Sequence, residues 1–370
     1  MSEEPRVPAT VEADPTRPGG PEATEVVCLG ESMVTFLPSR PGRLADVPAF
    51  TRTIGGAESN VACALAAAGH RVKWISRVGA DGFGDHLVEA IGAYGVDTSG
   101  VRRDADGRPT GIYFRTATDR STTAHEVAYY RAGSAASAMS PATMDRGDLW
   151  SGRVLHLSGI TAALSDDCLA LMRELAERRE GRPPLSFDVN HRPALWREGS
   201  GPRSASRVLL DLARGADLVF VGDDEAAHLW DLHSPEAVRE ALPEPAVLVV
   251  KAGADGATAF VRDAATDTVT SVPALGVDVV APVGAGDAFA AGFLSATLRG
   301  LPTGARLRHG HLTAAAVLTD AGDVCVPPAR AHADRLAALD DAAWGALRLG
   351  PGWTSEAAAG AVRQEAVGTS

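Results

Sequence analysis

The stretch "VAPVGAGDAFAAGFL" (280–294) sets a single carboxylate, Asp287, directly after Gly284, Ala285 and Gly286, at the mouth of an apolar run of small residues. Glycines let backbone approach a ligand closely, and amides exposed at a helix start form an anion site with the help of the helix dipole. A carboxylate beside that site is poorly suited to anion binding alone. It makes sense as the acceptor of a proton from a hydroxyl that attacks phosphorus. For an isolated G-x-G-D an N-terminal helix cap is the simpler reading, so the choice depends on what else the chain supplies.

Four other stretches supply reactive groups. "GGAESN" (55–60) puts a glycine pair before a helix, and "YYRAGSAAS" (129–137) offers two tyrosines and an arginine. "DVNHRPALW" (188–196) places Asn190 and Arg192 after a strand, and "VVKAGADGA" (249–257) places Lys251 and two glycines after another. Lys251 and Lys73 are the only lysines in a chain whose positive charge is otherwise arginine.

The elements that must hold these groups alternate. Apolar runs at 25–30, 71–79, 153–159, 184–190, 217–222 and 246–253 read as buried strands. Helical patterns lie between most of them, at 56–70 and from about Phe83 onward among others. Near-continuous apolar strands alternating with helices predict an α/β fold with a doubly wound, mainly parallel sheet covered on both faces. Ligands bind such sheets at the carboxyl ends of the strands. Glu31, Asn190, Arg192, Glu225 and Lys251 all fall at or just past those ends. Residues 35–53 and 110–131 break the rhythm with polar-faced strands and predict a small flanking sheet, or lid.

At 370 residues, with 45% hydrophobic and 22% charged residues, the composition is globular. We read residues 1–23, acidic and proline-rich without an apolar signal core, as a disordered extension. Residues 24–345 read as one domain without an internal linker, and 346–370 as a C-terminal tail that frays from Glu356. A net charge of -12 argues against nucleic acid as a partner. No apolar run approaches the ~18 residues that a membrane span needs. Cys28, Cys63, Cys168 and Cys325 are widely spaced, which fits buried thiols in a reducing cytoplasm.

Taken together, these motifs resemble the ribokinase-like (PfkB) family of carbohydrate kinases. "GGAESNVACALAAAG" (55–69) is similar to the first family signature and "PVGAGDAFAAGF" (282–293) to the second. "YYRAGSAAS", "LHLSGITAALS" (155–165) and "DVNHRPALW" are most similar to bacterial 2-keto-3-deoxygluconate kinases. The resemblance covers about residues 25–330.

It implies ATP-dependent phosphorylation of 2-keto-3-deoxygluconate, with Asp287 as the base and Gly284, Ala285 and Gly286 as the anion hole. Gly56 would touch the sugar through its backbone, and Tyr113, Tyr129, Arg131 and Arg192 would match the keto-acid pocket. Two arginines suit a carboxylate, whereas a neutral sugar would not require them. Pairing of these arginines with Asp188 or Glu126 is the competing structural role. On the ATP side the resemblance implies Asn190, Arg192, Gly222, Lys251, Gly253 and Gly256. Glu225 would organise Mg2+ through water. It further implies a substrate-side Asp323 and an adenine-side His311, against which stand an ordinary loop and a surface histidine.

Three departures stand out. Ala281 replaces an acidic residue that supports a monovalent cation, so potassium activation stays open. Gly222 replaces the asparagine of an N-x-x-E motif. His191 stands at a commonly aromatic position. The competing functions are a kinase of fructose, of another keto-acid or of a nucleoside, and a sugar sensor of the same fold. A nicotinamide oxidoreductase is disfavoured, because "CLGESM" lacks G-x-G-x-x-G. Relatives pair their lids between subunits, so the expected assembly is a homodimer.

Overall fold

The computed structural model describes residues 23–40, 42–116, 127–196, 204–263, 266–320, 322, 324 and 326–355. Eight strands form the central sheet: β1 (Val26–Leu29), β2 (Val72–Ile75), β3 (Val154–Ser158), β4 (Leu185–Asp188), β5 (Leu218–Gly222), β6 (Val247–Lys251), β7 (Ala257–Asp263) and β8 (Thr266–Val272). Their spatial order is β8-β7-β6-β5-β4-β3-β1-β2. The strands from β2 to β6 run parallel; β7 and β8 add an antiparallel hairpin at one edge.

The parallel strands are buried on both faces, which is why they are mostly apolar, whereas the edge strand β8 is polar and largely exposed. Successive residues of one strand enter opposite cores. Val26, Cys28, Phe220 and Val249 join the core beneath helices Ala57–Ala67, Ala285–Leu298 and Thr303–Leu318. Val27, Leu29, Val219 and Val250 join the core beneath helices Asp166–Ala176 and Ala205–Gly215. The expected doubly wound α/β architecture is therefore present.

The expected strand at 71–79 is two strands. The chain breaks at Ser76, and Arg77–Gly79 leaves the main sheet to pair with Arg102–Asp104. Hydrophobicity carried that error, because Val78 is as buried as its neighbours in β2.

The polar-faced segments form a separate four-stranded sheet in the order Phe50–Gly55, Met33–Pro38, Ile112–Arg115, Val127–Tyr130. Phe36 and Phe114 stack across it with ring centroids 4.7 Å apart. Val127, Tyr129 and Tyr130 on its last strand are exposed. The folded body also continues past residue 345: Arg348–Leu349 pairs with Gly276–Val277, and Trp353 is buried. Residues 1–22, Glu126, Asp323, Cys325 and 356–370 lie outside the described residues, as do the expectations that rest on them. Cys28, Cys63 and Cys168 are free and buried. Among the described residues, no helix is long and apolar enough to cross a membrane.

Candidate active site

The site forms where β1, β3, β4, β5 and β6 end. Gly284 adopts φ 82°, a left-handed conformation that favours glycine, and turns the chain into helix Ala285–Leu298. The first hydrogen bond of that helix runs from the Ala288 N–H to the Gly284 carbonyl at 2.9 Å. The amides of Ala285, Gly286 and Asp287 precede it, so they have no intrahelical acceptor.

Asp287 sits in this first turn, half-buried. Asn60 Nδ2 donates to its Oδ2 at 2.9 Å, and Asn190 Nδ2 donates to its Oδ1 at 3.2 Å. Burial pushes its carboxyl up to about 6; the Asn60 hydrogen bond opposes this, the Asp188 charge adds to it, and Arg192 and Lys251 oppose it. Such a group is ionised at neutral pH yet keeps appreciable proton affinity, as a base requires. Asn190 takes φ 40°, unusual for a non-glycine, and this torsion belongs to the residue that reaches Asp287.

Lys251 ends β6 and donates to Asp188 Oδ2 at 2.8 Å. Its Nζ lies 3.5 Å from where a Cβ on Gly286 would stand, so the ammonium borders the helix start. Burial works against its charge, but Asp188 and Glu225 outweigh burial and hold the ammonium above its ordinary range. Asp188 is buried, and its Oδ1 has no hydrogen-bond partner among the described residues.

Glu225 accepts the His191 N–H at 2.7 Å and the Gly222 N–H at 2.8 Å, tying the loop after β4 to the end of β5. Burial raises its carboxyl, against the pull of Lys251. Hard carboxylate oxygens suit Mg2+, and the unpartnered Asp188 Oδ1 beside Glu225 fits a hydrated ion. Among the described residues, no cluster of three or more His, Cys, Asp or Glu forms an all-protein metal cage.

Gly56 packs against the chain after β1: a Cβ there would stand 2.4 Å from the Glu31 carbonyl oxygen. Glu31 is buried, pairs with Arg131 and accepts the Ser134 hydroxyl. Arg131 also lies 6.0 Å from the Tyr129 ring, which neighbours Tyr113 at 5.4 Å. Arg192 is exposed and donates to the His191 carbonyl at 3.1 Å. The described partner of Arg131 is therefore Glu31, a residue absent from the expected pairings.

Gly253 (φ 51°) and Gly256 (φ 128°) shape the turn after β6, where the Ala252 N–H reaches the Gly256 carbonyl at 2.8 Å. His311 stands apart. It is buried rather than on the surface, edge-on to Phe289, with Nε2 3.2 Å from the Val272 carbonyl. Burial lowers its ring to about 4 and keeps it neutral. Helix Thr303–Leu318 packs this face inward against the helix that begins at Ala285.

Sequence reasoning missed Asn60, and took Asp188 only as a possible arginine partner, whereas it pairs with Lys251. Both lay inside quoted motifs, at the sixth position of "GGAESN" and the first of "DVNHRPALW". Their amide and carboxylate gain meaning only when helix Ala57–Ala67 and β4 converge on Asp287.

Comparison with known proteins accords with this geometry. The family model "pfkB family carbohydrate kinase" matches residues 23–329. A 2-dehydro-3-deoxygluconokinase of Bacillus subtilis (strain 168) is 34% identical over 318 residues, which is 83% of this chain and 93% of the relative. A probable chloroplastic fructokinase of Arabidopsis thaliana is 31% identical over 280 residues, covering 74% of this chain and 70% of the relative. An uncharacterized sugar kinase of Pyrococcus horikoshii, solved in complex with ATP, superposes with a TM-score of 0.71 at 25% identity, over 87% of this chain and 100% of that one. On this match, and on an α/β fold with a glycine-framed carboxylate at a helix start, the chain belongs to the pfkB family of carbohydrate kinases.

Proposed function

We propose that this kinase transfers the γ-phosphoryl group of ATP to the 6-hydroxyl of 2-keto-3-deoxygluconate, the same compound as the 2-dehydro-3-deoxygluconate of its Bacillus relative. The carrying observation is Asp287, held by Asn60 and Asn190 at a helix start that Lys251 borders. Asp287 takes the hydroxyl proton as the oxygen–phosphorus bond forms and the bond to ADP breaks. The amides of Ala285 and Gly286, with Gly284 shaping the turn, stabilise charge on the phosphoryl group in flight.

Lys251, Asn190, Arg192, Gly222 at the end of β5 and the turn through Gly253 and Gly256 face the nucleotide. Asp188 and Glu225 would hold Mg2+ through water, and the ion neutralises phosphate charge when bound. The exposed Arg192 meets the substrate carboxylate, Gly56 meets the sugar through its backbone, and Tyr113, Tyr129 and Arg131 line the remaining pocket. The small sheet closes over the sugar as a lid and excludes water. Its exposed Val127, Tyr129 and Tyr130 support pairing of two lids in a homodimer.

One observation favours a second reading. Arg131 is already neutralised by Glu31, which leaves Arg192 as the more open cation and makes a neutral ketose such as fructose the competing substrate. The test is ATP- and Mg2+-dependent phosphorylation of 2-keto-3-deoxygluconate, its galactonate epimer, fructose, ribose and adenosine. Turnover confined to keto-acids supports the proposal. Preference for fructose overturns the substrate and keeps the base.

A further inference from the structure

Glu58 lies two positions before Asn60 on helix Ala57–Ala67, and its side chain is wholly buried, with 0% exposure. One oxygen, Oε1, accepts three hydrogen bonds: from the Ser158 N–H at 3.0 Å, the Ser158 hydroxyl at 2.8 Å and the Thr161 hydroxyl at 3.0 Å. These donors sit at the end of β3 and the start of the helix that follows it. The other oxygen, Oε2, is buried with no hydrogen-bond partner among the described residues. It lies against Gly30, where a Cβ would stand 2.1 Å from it.

An acid with one oxygen bare costs several kcal/mol to bury in its ionised form relative to a neutral amide, so its place in this helix calls for an explanation. The nearest demand for it is Asp287, which Asn60 connects to this same helix.

We infer that Glu58 is a positioning residue for phosphoryl transfer: it locks helix Ala57–Ala67 onto β3 so that Asn60 keeps Asp287 aimed. The inference rests on the assignment of Asp287 as the base. The charged and titratable groups around the pair are few. Glu58 faces Asp287 and the buried thiols of Cys28 and Cys63, both of which burial keeps neutral. Asp287 faces Asp188, Arg192 and Lys251. Burial pushes Glu58 up to about 7 against the Ser158 and Thr161 hydrogen bonds, and the Asp287 charge adds to the rise. Glu58 is therefore largely protonated over the pH range in which Asp287 ionises, and it acts on Asp287 through the helix rather than through charge.

Three substitutions test this. Glu58→Ala removes the lock; kcat is expected to fall about ten- to a hundred-fold, with KM for ATP nearly unchanged. A loosened Asn60 donates less well to the Asp287 carboxylate, so the acid limb of the kcat/KM profile is expected to move upward, as it is in Asn60→Ala, which removes that donor outright. Glu58→Gln keeps an acceptor for Ser158 and Thr161 and is expected to restore most of the kcat lost in Glu58→Ala. Wild-type kcat or an unmoved limb in folded Glu58→Ala overturns the inference, as does a Glu58→Gln variant no better than Glu58→Ala. If Glu58→Ala fails to fold, Thr161→Val, which removes one of the three donors, is expected to move the limb in the same direction, and an unmoved limb there overturns the inference. Asp287→Asn run in parallel guards the premise: normal turnover there means that the base assignment fails, whatever Glu58 does.

Discussion

Asn60 and Asp287 lie 227 positions apart in sequence and share a 2.9 Å hydrogen bond. With Asn190 on the other oxygen, both donors favour the carboxylate form, while burial favours the acid and sets the balance at about 6. A base acts deprotonated, so kcat/KM is expected to rise as pH increases through about 6 and level off above it. Asp287→Asn is expected to lower kcat by roughly two to four orders of magnitude, with ATP and sugar binding nearly intact. Calorimetric titration beside steady-state rates checks both halves; a variant that turns over at the wild-type rate places the base elsewhere.

The two pocket arginines are unequal. Arg131 is pinned by Glu31, whereas Arg192 is exposed and donates to the His191 carbonyl. A charge-assisted contact to the substrate contributes about 1.5–3 kcal/mol, so Arg192→Ala is expected to raise keto-acid KM about ten- to a hundred-fold. Neutral sugars are expected to show little change. Equal losses for fructose and keto-acid would deny Arg192 a role in reading the carboxylate.

Removing Arg131 has a different cost, because it strands the buried Glu31 carboxylate. Arg131→Ala is expected to lose about 3–5 kcal/mol of stability, the cost of breaking a buried pair. Glu31→Gln/Arg131→Met, which removes both charges, is expected to recover most of it. Chemical denaturation of the single and double variants measures this; additive losses would show that the pair is energetically loose.

Much of the architecture was legible because its cause is local and periodic. Fully buried parallel strands must be apolar on both sides, and "VVCL", "VLHLS" and "LVFVG" are. Asp287 was legible only in company: its glycines alone read as a helix cap, and the surrounding motifs turned that reading toward a base. Asn60, Asp188 and Glu58 were not, since an amide or acid inside a helix or strand looks the same whether it faces a site or solvent. The break at Ser76 and the Arg131–Glu31 pair were equally hidden: both depend on which strands meet, and hydrophobic pattern alone does not encode that.

Gly30 follows β1, where a Cβ would stand 2.1 Å from both the Glu58 carboxyl carbon and Oε2. Three hydrogen bonds hold that carboxylate, so it has little freedom to retreat. Gly30→Ala is expected to destabilise the protein by about 1–3 kcal/mol, as overpacking does, and to lower kcat by displacing Glu58. Unchanged melting would mean that the carboxylate moves aside at no cost.

His311 carries a prediction for stability rather than catalysis. Burial lowers its ring to about 4, with only the Val272 carbonyl acting in the opposite direction, while the unfolded chain protonates near 6.5. The folded value is the lower one, so the stability due to the neutral ring is fully present above pH 6.5. It is lost as pH falls from there toward 4, by an amount on the order of 3 kcal/mol. His156, likewise lowered to about 4 by burial, contributes in the same direction. Glu58 and Asp287, raised by burial, contribute oppositely and cost stability as pH rises from about 4 toward 7 and 6. His311→Gln keeps a donor for Val272 without a titrating ring, so subtracting its stability curve from the wild-type curve cancels the other groups. That difference is expected to be flat above pH 6.5 and to fall steadily toward pH 4. A difference independent of pH would mean that water reaches the ring, and that the core around Phe289 and Trp344 is looser than its packing shows.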